Sequence, residues 1–282
     1  MNDLLQARYG MPAPTPGPAD DSGDIGDVGL AHDATIATLL GHRSVRRYTD
    51  QPVSAHALDL MVAAAQSAST SSNLQTWSVV AVQDPAAKDR LSRLAGDQRH
   101  IRECPLFLVW LADLARLDAV GARRDLKRDG LDYLELLMVG VIDAALASQN
   151  AAVAAEALGL GIVYIGGMRN QPEAVAAELG LPPRTVAVFG MCVGHPDPEN
   201  PAGIKPRLPV SAVLHRERYD PAASDGPTEQ YVETMDRFYA AQQMKTNGDW
   251  AEHSLNRVRG PEALQGRDRL AEALRQRGFP AL

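Results

Sequence analysis

The densest group of chemically capable side chains is the run His42-Arg43-Ser44-Val45-Arg46-Arg47-Tyr48. It places three guanidinium groups, an imidazole and a hydroxyl within six positions of a chain that is acidic overall. Planar guanidinium forks match phosphate oxygens, and an adjacent hydroxyl adds a donor, so one reading is a site for an anionic cofactor or substrate. The other is a solvated helix end, where cations complement the C-terminal dipole of the preceding helix. Lys205-Pro206-Arg207-Leu208-Pro209 is a second basic island, in which two prolines stiffen the backbone between the cations. Taken alone it serves equally as an exposed turn. The stretch Ser67-Ala68-Ser69-Thr70-Ser71-Ser72 offers five hydroxyls in six residues, each able to donate and accept.

Other chemistries leave no trace. The dinucleotide pattern GxGxxG is missing, because Gly159-Leu160-Gly161 continues into Ile-Val-Tyr, and the phosphate loop GxxxxGK[ST] is missing too. So are HExxH and the GxSxG elbow. The seven histidines, His32, His42, His56, His100, His195, His215 and His253, form no i,i+4 pair, so no metal site is expected.

Hydrophobic periodicity indicates the elements that carry these groups. Ile36, Leu39 and Leu40 give a helical face that stops at Gly41, so the first basic run leaves a helix C-terminus. A second helix over 55–67 feeds the hydroxyl-rich loop. Residues 77–82, 106–111, 162–165 and 186–193 read as strands, the second and fourth as apolar runs buried on both faces. An alanine-rich helix over 136–158 lies between them, and its small side chains allow close approach of neighbours in a core or a subunit contact. Pro172 opens a helix that Gly180 closes, and amphipathic helices are predicted at 228–244 and 261–277. Helices mixed with a few buried strands indicate an α+β sandwich.

The 282 residues are 45% hydrophobic, 22% charged and 5% aromatic, the composition of a globular protein with an aliphatic core. Twenty-eight basic against thirty-five acidic residues give a net charge of −7, which opposes binding to nucleic acid or an anionic membrane. The most apolar long stretch, 134–160, contains Glu135, Asp143, Gln149, Asn150 and Glu156, and reads as a buried helix rather than a membrane span. Cys104 and Cys192 sit in apolar surroundings without a CxxC motif, and the N-terminus has no secretory pattern. A cytoplasmic protein with two buried thiols is expected. Residues 11–28, with four prolines and four aspartates, read as a linker or tail.

The order of His42-Arg43-Ser44-Val45-Arg46, the serine-rich loop ending Asn73-Leu74-Gln75, Gly159-Leu160-Gly161 through Tyr164-Ile165-Gly166-Gly167, and Lys205-Pro206-Arg207-Leu208-Pro209 resembles the bacterial nitroreductase family. Within it, the sequence is similar to the oxygen-insensitive NADPH nitroreductases and NADPH:flavin reductases. The resemblance covers about residues 34–260. It implies an α+β fold with a central, mostly antiparallel sheet among helices, and a homodimer with one FMN at each of two subunit interfaces. A flexible extension over 1–31 would precede an FMN-dependent domain over 32–282 with helical C-terminal arms.

Carried over by motif, His42, Arg43, Ser44 and Arg46 would hold the FMN phosphate, ribityl chain and N1/C2 side of the ring. Ser69, Thr70 and Ser71 would line the ring from the partner subunit, and Gln98 would bond its pyrimidine edge. The backbone of Tyr164, Ile165, Gly166 and Gly167 would pass N5, while Lys205 and Arg207 would complete the phosphate site, making the two basic islands walls of one pocket. FMN would carry hydride from NADPH or NADH to nitroaromatics, quinones or flavins in a ping-pong cycle, so no catalytic side chain is required. Alternatives are a dedicated flavoenzyme of this fold, acting by dehalogenation or flavin breakdown, and a non-catalytic phosphate- or nucleotide-binding module. The subgroup's arginine-rich NADPH loop here reads Gln242-Gln243-Met244-Lys245-Thr246-Asn247-Gly248, leaving Lys245 as its cation for the 2′-phosphate.

Overall fold

A computed structural model describes residues 2–9 and 34–279. The proline- and aspartate-rich stretch 11–28 lies outside the described residues. In chain order, helices α1 (Asn2–Tyr9), α2 (Ala34–Gly41) and α3 (Ala55–Gln66) precede strand β1 (Trp77–Val82). Helices α4 (Pro85–Leu94) and α5 (Arg99–Glu103) lead to β2 (Leu106–Asp113), and α6 (Ala115–Arg123) and α7 (Leu134–Ala157) lead to β3 (Gly161–Ile165). After α8 (Pro172–Glu178) and β4 (Thr185–Gly194) come α9 (Val210–Val213), α10 (Asp225–Ala241), α11 (Trp250–Asn256) and α12 (Leu270–Gln276).

The chain divides into two compact units, Ser44–Ala202 with Gly260–Leu282, and Met1–Arg43 with Gly203–Arg259. The larger unit holds one four-stranded sheet of order β1-β2-β4-β3, antiparallel throughout. Side-chain alternation sends Leu106, Leu108 and Trp110 of β2 to one face, against Met61 and Ala65 of α3 and Ala147 and Ala151 of α7. Phe107, Val109 and Leu111 go to the other, against Leu91 of α4, Ala95 just after it, Ile101 of α5 and Val175 of α8. Covering both faces accounts for the unbroken apolar runs of β2 and β4. The α+β architecture with a central antiparallel sheet is thus the one expected, and Cys104 and Cys192 are free and buried.

Helix α7 lies close to the sheet because residue 140 is glycine: a Cβ there would come within 3.1 Å of the Ala112 Cβ and 3.3 Å of the Thr76 carbonyl oxygen. It is long and apolar enough to cross a membrane, yet Leu137, Asp143, Ala144, Ala147, Ala151 and Ala155 are buried in this core. The smaller unit has its own apolar cluster, Tyr231, Met235 and Tyr239 of α10 against Leu208 and Trp250.

The continuous helix expected over 261–277 is corrected. Gln265 and Gly266 adopt left-handed φ values of 56° and 89°, which a right-handed helix cannot contain, leaving short 3₁₀ turns before α12. A Cβ at Gly266 would lie 2.9 Å from the Asn170 carbonyl oxygen, so the break also serves a close backbone approach.

In β4, Gly190 lies under the buried ring of Phe107, and an added Cβ would overlap that ring and come within 3.4 Å of the Ile165 Cβ. Gly190→Ala should therefore destabilise the protein by about 1–3 kcal/mol through overpacking. Urea denaturation should show a lower midpoint at unchanged slope; an unchanged midpoint would contradict this packing.

Candidate active site

In the larger unit, the first basic run is fixed by a short extension of β3. Ser44 bridges Ile162 in parallel pairing, and the Val45 N–H donates to the Ile162 carbonyl at 2.8 Å. Val45 is buried against Gly161, where a Cβ would lie 2.6 Å from the Val45 Cγ2. The Tyr48 hydroxyl closes the loop by donating to the Val45 carbonyl at 2.6 Å, and burial raises its pKa well above the phenol range, so it remains a donor. With Val45 turned inward, strand alternation leaves Ser44 half-buried and Arg46 exposed. Burial, and then the neighbouring Arg46 guanidinium, depress the pKa of His100, against an opposing pull from Glu103.

The serine-rich loop is organised by a carboxylate from α7. Asp143 is 1% exposed, and its oxygens accept from the Thr70 hydroxyl at 2.7 Å, the Ser71 N–H at 3.3 Å, and the Thr76 N–H and hydroxyl, both at 2.9 Å. The Thr70 hydroxyl in turn accepts the Gln75 N–H at 2.9 Å. These bonds hold a turn in which Ser72, Asn73 and Gln75 all have left-handed φ, at 48°, 55° and 52°. Thr70 therefore faces inward, while Ser69 and Ser71 are exposed. The close approach at Gly140, one turn earlier on α7, lets Asp143 reach this loop.

At the end of β3, Gln98 donates from Nε2 to the Ala95 carbonyl at 2.8 Å, next to Gly167. A Cβ on Gly167 would lie 2.5 Å from that carbonyl oxygen and 2.9 Å from the Gln98 Nε2, so this glycine is required by packing within the protein itself. Gly166 is less confined: a Cβ there would make ordinary contacts, 3.4 Å from an Arg169 nitrogen and 3.9 Å from an Arg267 nitrogen. Tyr164 and Ile165 point their side chains into the core; the Tyr164 hydroxyl donates to Ser148 Oγ at 3.2 Å, and burial pushes its pKa up to about 12.

In the smaller unit, the other basic segments are drawn together. Arg8 of α1 is 4% exposed and donates to the Leu40 and His42 carbonyls at 2.8 and 2.6 Å, and to the Lys205 carbonyl at 2.8 Å. The Arg207 N–H returns a bond to the Arg8 carbonyl at 2.8 Å, and the Tyr231 hydroxyl donates to the Pro206 carbonyl at 3.1 Å. Arg43, Lys205 and Arg207 are exposed on these pinned main chains, as is Lys245 on the α10–α11 connection.

The larger unit thus presents cationic, hydroxyl and amide groups, and the smaller unit exposed cations, that suit a phosphorylated, hydrogen-bonding ligand. Among the described residues, no group of three His, Cys, Asp or Glu side chains could hold a metal ion. Sequence reasoning missed Arg8 and Asp143. Asp143 carried a signal, being a carboxylate in an alanine-rich helix, but its partners could not be read from spacing; Arg8 lies outside any motif.

Models of known families match this sequence. "Nitroreductase family" matches residues 39–129 and 93–195, and "Nitroreductase family, C-terminal domain" matches 205–281. An FMN reductase (NADPH) of Bacillus subtilis is 39% identical over 252 residues, covering 87% of this chain and 98% of the relative. An oxygen-insensitive NADPH nitroreductase of Salmonella typhimurium is 38% identical over 246 residues, with the same two coverages, 87% and 98%. Among solved structures, the NfrA1 nitroreductase of B. subtilis aligns with a TM-score of 0.78 at 38% identity, covering 85% of this chain and 98% of that one.

Removing the Asp143 carboxylate leaves four donors without this acceptor, two of them on the buried Thr76. Asp143→Ala should cost about 3–5 kcal/mol of stability, and Asp143→Asn, which keeps one acceptor, less. Hydrogen exchange at the Ser71 and Thr76 amides should accelerate in both variants; unchanged protection would show that the loop is held otherwise.

Proposed function

The chain belongs to the nitroreductase family, and from that premise we propose that its two basic segments form the phosphate end of a flavin site. The protein is an FMN-dependent oxidoreductase that draws reducing equivalents from NADPH. The observation that carries the site assignment is the Arg8 guanidinium bonded to both the His42 and Lys205 main chains, which joins two cationic segments far apart in sequence.

In this reading, His42, Arg43, Ser44, Arg46, Lys205 and Arg207 hold the FMN phosphate, the ribityl chain and the N1/C2 edge. A fixed Arg46 cation favours negative charge on that edge. Gln98 bonds the pyrimidine edge, and the β3 end from Tyr164 to Gly167 supplies backbone beside the ring. Ser69, Thr70 and Ser71 approach from the partner subunit; the inward Thr70 acts by shaping the loop that presents the two exposed serines. Bound FMN supplies the hydride-transfer chemistry, so the protein's task is to bind, orient and stabilise charge. Lys245 meets the 2′-phosphate of NADPH. Donor and acceptor use the site in turn, with nitroaromatics, quinones and flavins as acceptors.

The partner subunit is a second copy. Helix α7 leaves Leu134, Met138, Ile142 and Leu146 exposed at four-residue spacing, a continuous apolar stripe opposite its buried face. A cytoplasmic location suits this reading, in which α7 is a core and interface helix.

Purified protein should be yellow and bleach anaerobically on titration with NADPH, more slowly with NADH if Lys245 reads the 2′-phosphate. Steady-state rates with NADPH and a quinone both varied should give parallel double-reciprocal lines. Intersecting lines would refute alternating use of one site, and a colourless protein that takes up no FMN would refute the flavin assignment.

Ile142→Asp places a charge in the α7 stripe and should convert the dimer to monomer in sedimentation, with loss of bound flavin. A variant that stays dimeric and yellow would move the interface elsewhere.

A further inference from the structure

Helix α1 lies outside both family-matched ranges, which begin at residues 39 and 205. Within its unit it is nevertheless tied into the main chain that carries the basic groups. The Leu4 side chain packs on Gly41, where an added Cβ would sit 4.0 Å from its Cδ2. Arg8, buried to 4% exposure, spends its fork on three carbonyls: Leu40 and His42 at the exit of α2, and Lys205 in the proline-flanked island. Its own carbonyl accepts the Arg207 N–H. One residue therefore bonds the main chain of both cationic segments, and no bond in this set involves the side chain of a residue assigned to the phosphate.

We propose that Arg8 is a positioning residue for the phosphate of the flavin, and that α1 is a clasp holding the His42-Arg43 and Lys205-Pro206-Arg207 segments in register with each other. The proposal rests on the flavin reading above. The physical reason is preorganisation: exposed guanidinium and ammonium groups on long side chains grip a phosphate well only if their Cα positions are already fixed. A planar fork suits this role, since it can reach carbonyls from two separate segments at once. Because Arg8 bonds the main chains of His42 and Lys205, which carry the phosphate-binding cations, its loss should weaken the phosphorylated flavin more than a flavin without the phosphate.

The test compares FMN with riboflavin, which has the same ring and ribityl chain without the phosphate. Dissociation constants for both are measured by flavin fluorescence on the full-length wild type, Arg8→Ala and Arg8→Lys, each checked by circular dichroism. Arg8→Ala should weaken FMN at least about tenfold while changing riboflavin affinity much less. Arg8→Lys, whose point charge cannot fork across the three carbonyls, should shift the FMN-to-riboflavin ratio in the same direction by less. If Arg8→Ala does not fold, the ratio in Arg8→Lys decides. Equal weakening of both flavins in a folded variant would make α1 a general scaffold and overturn the proposal, as would an unchanged FMN constant. A wild type that binds neither flavin would instead overturn the flavin reading, and the proposal with it.

Discussion

Strands β2 and β4 are covered by helices on both faces, and this burial governs where chemistry can occur. A sheet closed on both sides has no face open to a ligand, so polar groups are confined to strand ends and to the loops that leave them. The residues assigned to the flavin follow this rule in the larger unit: Ser44 and Arg46 on the segment paired to β3, Gln98 on the approach to α5, and Gly166-Gly167 just past the end of β3. The glycines along these strands serve the same closure. Gly190 makes room for the Phe107 ring, and Gly161 for Val45.

Two buried ionisable side chains, one in each unit, organise polar loops in the same way. Asp143 collects donors from Thr70, Ser71 and Thr76, while Arg8 distributes donors to the carbonyls of Leu40, His42 and Lys205. Each organises loop backbone through several hydrogen bonds, which offset the desolvation that burial imposes. The consequence is a division of labour in which exposed side chains such as Arg43, Lys205, Ser69 and Ser71 ride on loops, and the groups that hold those loops are buried behind them.

The electrostatics fit a reaction carried by a cofactor. In an acidic chain of net charge −7, the exposed Arg43, Arg46, Lys205 and Arg207 make two local cationic segments that can attract an anion. The tyrosines near the site, Tyr48 and Tyr164, are raised in pKa by burial and act as fixed donors, and His100 is held toward its neutral form by burial and by Arg46. Binding and charge stabilisation are what such a set does well.

The sequence by itself determined the elements whose pattern is local. The apolar runs of β2 and β4, the alanine-rich α7 and the stop of α2 at Gly41 were all legible, because side-chain period and helix-breaking residues act over a few positions. The family and its flavin chemistry were legible as well, through four motifs in order. What the sequence could not supply was any property requiring two distant segments to meet. The break at Gln265-Gly266 depends on Asn170, and the need for glycine at 167 depends on Ala95 and Gln98. Asp143 gave only its incongruous charge within an apolar helix, and Arg8 gave nothing, since a lone arginine has no periodicity. Only the tertiary structure decided their roles, because a hydrogen bond forms where the fold brings donor and acceptor together, and sequence separation carries no record of that distance.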